Sequence, residues 1–146
     1  MPTAPTARRT LLVNRPADEV FTFFTTPAND PRWRQHVTEI SADGQLAVGT
    51  RVHQVVAGPM GRSINADIVV TDYEPPTAYG FEVVAGPVRP IGRFEFRPEG
   101  NGTEVTFSLH AEVRGIWQLL MARPVQKTMD DEMASLDTAK ALLERG

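Results

Sequence analysis

From residue 37 to residue 113 the chain alternates between apolar and polar residues, and that alternation limits the fold more than any other feature. Val48, Thr50, Val52, Gln54 and Val56 share one face, with Arg51 and His53 on the other. Ile64, Ala66, Ile68 and Val70 oppose Asn65, Asp67 and Thr71. The same period carries Tyr79, Phe81 and Val83, then Phe94 and Phe96, then Val105, Phe107, Leu109 and Ala111. Turn chemistry separates the runs: Asp43-Gly44, Ala57-Gly-Pro-Met-Gly61, Glu74-Pro-Pro76, Ala85-Gly-Pro87 and Glu99-Gly-Asn-Gly102. Consecutive hairpins make an antiparallel sheet with one apolar and one wet face. The apolar face has to be covered.

The flanks supply the cover. Thr10–Val13 reads as a first strand. Pro16 suits a first helical turn, Asp18 and Glu19 suit a helix N-terminus, and Val20, Phe21, Phe23 and Phe24 give an apolar face before Pro27 stops the helix. Asp30-Pro-Arg-Trp33 reads as a second, very short helix. From Ile116 to Arg145 the period is helical again. Trp117, Met121, Val125, Met129 and Met133 step by four, and Leu136 and Leu143 extend the stripe. Pro124 removes one helical hydrogen bond, which predicts a kink or a short helix followed by a long one. Lys127–Asp131 and Lys140–Glu144 mark the solvated side. This last helix is the only element long enough to lie across the sheet. The two short helices are expected to close one end, with the Phe cluster and Trp33 as the plug.

At 146 residues the chain is read as one domain, residues 8–146, preceded by a disordered tail, residues 1–7. A net charge of −3 with both signs dispersed gives no basic footprint for nucleic acid and no polybasic membrane segment. With no Cys and three scattered His, no disulfide, thiol nucleophile, metal or cofactor is expected. Arg8-Arg9 is followed by too short an apolar run for a secretion signal, and no run approaches a membrane span. The expectation is a cytoplasmic protein, monomeric or homodimeric.

Several motifs carry a resemblance. Arg15-Pro-Ala-Asp-Glu-Val-Phe21, Asn29-Asp-Pro-Arg-Trp33, Val48-Gly-Thr-Arg51, Thr71-Asp-Tyr-Glu-Pro-Pro76, Gly102-Thr-Glu-Val-Thr-Phe107 and the long final helix are similar to the SRPBCC superfamily, START-like with a helix-grip fold. Within it the chain resembles the polyketide cyclase/dehydrase-like proteins. The resemblance implies an α+β helix-grip fold: a curved antiparallel seven-stranded sheet around a long C-terminal helix, with two short helices after the first strand. It also implies a deep apolar cavity for lipids, polyketides, sterols or other hydrophobic ligands. Some relatives cyclise or dehydrate polyketide chains, and many only bind.

Strand parity nominates cavity residues. Val52, Val56, Ile68, Phe81, Phe94, Phe107 and Leu109 point inward from strands. Met129 and Met133 come from the helix, and Trp33 from the covered end. The alternative for each is plain core packing. Gln54 and Tyr79 share the inward parity and bring polar atoms, so they are candidates to orient a ligand or handle a proton. His36 is the best-placed His, with a capping or surface role as the alternative, while His53 and His110 fall on the outward parity. Glu132 borders the helix's apolar face and is a candidate to reach the cavity, with an external salt bridge as the favoured alternative. Because hairpin turns alternate between ends, the loops at 57–61 and 85–90 share an end with the start of the long helix. Met60, Val88, Trp117, Leu120 and Met121 are therefore candidates for a ligand portal.

Two functions remain open: binding of a hydrophobic small molecule, or cyclisation or dehydration of a polyketide-like substrate with Tyr79, Gln54 or His36 moving protons. A stress-responsive or partner-regulating module is a third.

Overall fold

The structure, a computed structural model, describes residues 5–58, 61–86, 88–111 and 116–145. The side chains of residues 116–119 and of Met121 lie outside the description. Strand β1 (Thr6–Val13) leads into helix α1 (Ala17–Phe24), a single 3-10 turn (Pro27–Asn29) and the short helix α2 (Asp30–Trp33). Strands β2 (Val37–Ala42), β3 (Arg51–Ala57), β4 (Ser63–Asn65), β5 (Ile68–Glu74), β6 (Ala78–Val83), β7 (Ile91–Glu99) and β8 (Gly102–His110) follow. Helix α3 (Ile116–Arg145) closes the chain.

One antiparallel sheet runs in the order β1-β8-β7-β6-β5-β3-β2, with β4 paired to β3. The path has seven strands, as the helix-grip expectation required. The extra strand is a break rather than an addition. Sequence parity treats 64–71 as one strand, and Ile64, Ala66 and Ile68 do keep one face. Asp67 interrupts the ladder: its carboxylate accepts the backbone N–H of Gln54 at 3.2 Å, and Ala66 N donates to Gln54 O at 2.8 Å. A side chain thus stands in for a ladder bond. A bulge between Val70 and Asp72 then shifts the parity, so that Tyr73 joins Val70 on the inner side and meets Phe21 edge-on at 5.4 Å.

The tail expectation needs correcting at residues 5–7, while residues 1–4 lie outside the described residues. β1 begins at Thr6, Ala111 N donates to Pro5 O at 3.0 Å, and the Gln126 amide brackets Thr6 through its N and O. Polar residues alternate with small ones here, so the segment looks unstructured in isolation. Pairing with β8 up to His110 orders it.

Helix α1 buries Val20, Phe21, Phe23 and Phe24 against the end of the sheet that carries the 74–77 and 99–102 turns. Phe24 packs on Phe94 at 4.9 Å and edge-on to Trp33 at 5.3 Å, so the plug forms as expected. Helix α3 passes through Pro124 as one 30-residue element, not as two helices. Its C-terminal half is core: Leu136 and Ala139 are fully buried. Truncating Leu136→Ala should therefore cost about 2–5 kcal/mol, read as a lower urea midpoint at an unchanged m-value. A loss below about 1 kcal/mol would mean that α3 does not grip the sheet there.

Candidate ligand cavity

The N-terminal half of α3 is tied to the edge of the sheet where Gln126 bonds Thr6. Between this half of the helix and the inner face of the sheet lies a cavity of about 220 Å³. It exceeds the roughly 150 Å³ of an apolar cavity that holds a benzene molecule. Its inner end is made by Phe24, Trp33, Tyr79, Phe94 and Phe107. Its far end reaches Gly58, Gly86, Val88, Pro90 and Pro124, among the loops that share an end with the start of α3.

Val56, Ile68, Phe81 and Leu109 line it from the strands, and Met129 from the helix, on the same cavity as the ring of Phe107. Phe94 and Phe107 stack at 4.1 Å and 3°, forming a flat aromatic wall. Val52 and Met133 do not border the cavity, although both are buried. Each lies one step further toward the end that α1 closes: Val52 precedes Gln54 by two positions on β3, and Met133 follows Met129 by one turn. Val88 lines the far end, and Leu120 is 61 % exposed. Met60 and the side chains of Trp117 and Met121 lie outside the described residues.

The polar wall was not foreseen. Arg34, just past α2, is partly buried against α3 and grips Glu132 with two bonds, Nε to Oε2 at 2.8 Å and Nη2 to Oε1 at 3.0 Å. Its Nη1 donates to Asp30 Oδ2 at 3.0 Å and to Gln54 Oε1 at 3.0 Å. Glu132 thus turns inward, against the expected external salt bridge, because α2 holds a cation over this face of α3. The available signal was Asp30 and Arg34 at i, i+4 around Pro31 and Trp33. Burial opposes charge on Arg34, but Glu132 and then Asp30 outweigh it, so the guanidinium is held protonated more firmly than usual. Asp30 goes the other way: burial pushes it up to about 6, with Arg34 only partly opposing. The Trp33 indole N–H leans toward that carboxylate without forming a proper hydrogen bond, and it is buried with no partner.

Gln54 is buried with its amide in this network. Tyr79 is buried on the same cavity, and its hydroxyl bonds to no described residue. Burial, with Asp30 nearby, pushes the Tyr79 phenol well above its ordinary range, so it stays protonated. His36 borders the cavity and places Nε2 3.3 Å from Asp131 Oδ2. His53 and His110 do not line it. His53 Nδ1 is 2.8 Å from Asp67 Oδ1 on the outer face, and His110 is exposed. Among the described residues no His, Cys, Asp and Glu gather into a metal site, and no helix is long and apolar enough to cross a membrane.

A family model described as polyketide cyclase / dehydrase and lipid transport matches residues 4–140. The chain belongs to this family. Solved structures agree on the fold. A protein from Thermus thermophilus, TTHA0849, is 21 % identical over 95 % of this chain and 97 % of its own, with a TM-score of 0.78. A START superfamily protein from Mycobacterium smegmatis is 16 % identical over 96 % of this chain and 97 % of its own, with a TM-score of 0.75. The di-domain ARO/CYC StfQ of the steffimycin biosynthetic pathway is 15 % identical over 96 % of this chain and 51 % of its own, with a TM-score of 0.77. No curated protein matches the sequence.

The polar wall makes stability depend on pH with a definite sign. An acid whose folded pKa exceeds its unfolded one is held most favourably while protonated. The contribution of Asp30 is fully present below its unfolded value of 3.8 and is lost as pH rises through about 6. The unfolding free energy of the wild type should fall relative to that of Asp30→Asn across this window, by on the order of 2–3 kcal/mol, and then level off. Denaturant melts at several pH values measure it, and parallel profiles for the two proteins would place Asp30 in ordinary solvated surroundings.

Proposed function

We propose that the protein binds a hydrophobic small molecule of aromatic or polyketide-like type in the cavity between the sheet and α3. The cavity itself carries this reading: a concave apolar volume with a few polar groups gathered on one wall, the usual make-up of a small-molecule site. Family membership agrees with it. The ligand residues are then Trp33, Gln54, Val56, Ile68, Tyr79, Phe81, Phe94, Phe107, Leu109 and Met129.

Gly92 offers a test that leaves the lining residues unchanged. It lies on β7 opposite Phe81, and a Cβ there would run into the Phe81 ring. In Gly92→Ala the ring has to move, and the free space beside it is the cavity. The variant should bind a naphthalene-type fluorophore at least about fivefold more weakly, at on the order of 1 kcal/mol of overpacking, while its far-UV spectrum is unchanged. Unaltered affinity in a folded Gly92→Ala protein would separate the probe site from this cavity.

Entry is proposed at the loop end, past Val88 and Leu120. Apolar side chains at a rim are costly to expose unless they meet a ligand in transit. A charge at Val88→Arg should slow fluorophore uptake by about tenfold or more with little change in melting temperature. Equal uptake rates in stopped flow would put the entrance elsewhere.

A second reading, a cyclase or dehydratase using the same volume, is favoured by one observation. Asp30, pushed up to about 6, lies near a protonated Tyr79 inside an apolar site, a pairing able to give and take protons near neutral pH. Asp30→Asn is the variant that separates the readings: it should abolish turnover of a poly-β-ketone substrate if the site is catalytic.

A further inference from the structure

Arg34 would ordinarily mark a binding site for an anion. Here its guanidinium already bonds to Glu132, Asp30 and Gln54 through Nε, Nη1 and Nη2. One cation faces two carboxylates, whose side chains are 11 % and 15 % exposed. Among the described residues no positive charge is left over on this wall. What the wall still offers a ligand are neutral donors. The Tyr79 hydroxyl and the Gln54 amide N–H group bond to no described residue, and both residues line the cavity. The amide's orientation is fixed, because its oxygen accepts from Arg34.

Building on the binding function proposed above, we propose that the cavity selects a neutral ligand whose polar end is a carbonyl oxygen, a ketone or quinone, held by Tyr79 and the Gln54 amide. It rejects carboxylates because Glu132 and Asp30 have already neutralised Arg34. The chemistry is complementary at each point. A carbonyl accepts two hydrogen bonds without carrying charge into an apolar site. The flat stack of Phe94 and Phe107 suits an aromatic or fused-ring body. A carboxylate would enter a dry volume facing two like charges, with its would-be partner already occupied. Tyr79 remains a donor at neutral pH because burial and Asp30 both disfavour its ionised form.

Four probes sharing one ring system test this by calorimetry near neutral pH: 2-ethylnaphthalene, 2-acetylnaphthalene, 2-naphthoate and 2-naphthylmethylammonium. All are small enough for the volume. The acetyl compound should bind about tenfold tighter than the ethyl one, as a pair of neutral hydrogen bonds allows, and the naphthoate at least about tenfold more weakly than the ethyl one. Glu132→Gln removes one of the two carboxylates without shortening the side chain. It should tighten naphthoate by about tenfold or more relative to the ethyl compound, which serves as the internal reference for any change in the apolar volume. Asp30→Asn provides the same release by a second route if Glu132→Gln does not fold. Equal binding of the ethyl and acetyl compounds would overturn the carbonyl assignment while leaving the cavity a binding site. Naphthoate binding tightest to the wild type, or no gain for naphthoate in either variant, would overturn the charge argument, and the ammonium compound binding tightest would overturn the selection of a neutral ligand. Binding of none of the four would refute the binding function itself.

Discussion

The geometry depends on α3 being held at a fixed height above the sheet. A curved antiparallel sheet with one apolar face draws any covering helix down onto it, because each buried methylene favours collapse by about 0.8 kcal/mol. Directional bonds along both flanks of α3 oppose that. On the β1 side Arg9 Nη1 donates to Met133 O at 3.0 Å, Lys140 Nζ to Leu12 O at 2.7 Å, and Arg15 Nη2 to Glu144 O at 2.8 Å. On the other side Arg34 holds Glu132. Hydrogen bonds lose their strength quickly outside a narrow range of distance and angle, so they fix a position where apolar contacts only favour contact. The same helix is therefore core at Leu136 and Ala139 and roof at Val125 and Met129.

The plug at the other end makes that division sharp. Phe21 and Phe24 meet Tyr73, Phe94 and Phe96, and Trp33 closes on Phe24. The ligand cavity lies on the other side of this cluster, between it and Gly58, Gly86 and Val88. The cavity is thus the remainder left when eight residues of α1 cover only one end of a longer sheet.

Much of this was legible because period and turn chemistry are local properties of a chain. The hairpin succession, the single long helix and the inward parity of Gln54, Tyr79, Phe81, Phe94 and Phe107 all follow from spacing. Three things did not follow. The first strand begins at Thr6 rather than Thr10 because its partner is β8, about a hundred positions away, and nothing in Thr6–Arg9 announces the pairing. The bulge before Asp72 and the break at Asp67 were hidden because an extra or unpaired residue leaves the composition of a strand unchanged. The polar wall was hidden because burial of a charge is decided by what lies opposite. Arg34 and Glu132 are 98 positions apart, and each alone reads as an ordinary surface residue.

That wall also explains why a small apolar cavity should carry so costly a feature. Two carboxylates and a guanidinium out of water lose several kcal/mol of hydration each, and an apolar trio of equal volume is often as stable or more so. The apolar alternative would, however, have no fixed height. Its side chains could slide into the void beside them, and α3 could follow. An Arg34 gripped by Glu132, Asp30 and Gln54 cannot shift without leaving a buried charge unpaired, at about 3–5 kcal/mol. Each partner belongs to a different element: Asp30 to α2, Gln54 to β3, Glu132 to α3. One guanidinium therefore sets three elements at once relative to the cavity. The raised pKa of Asp30 reflects the burial that the arrangement imposes on its carboxylate, and the open volume lies beside Tyr79.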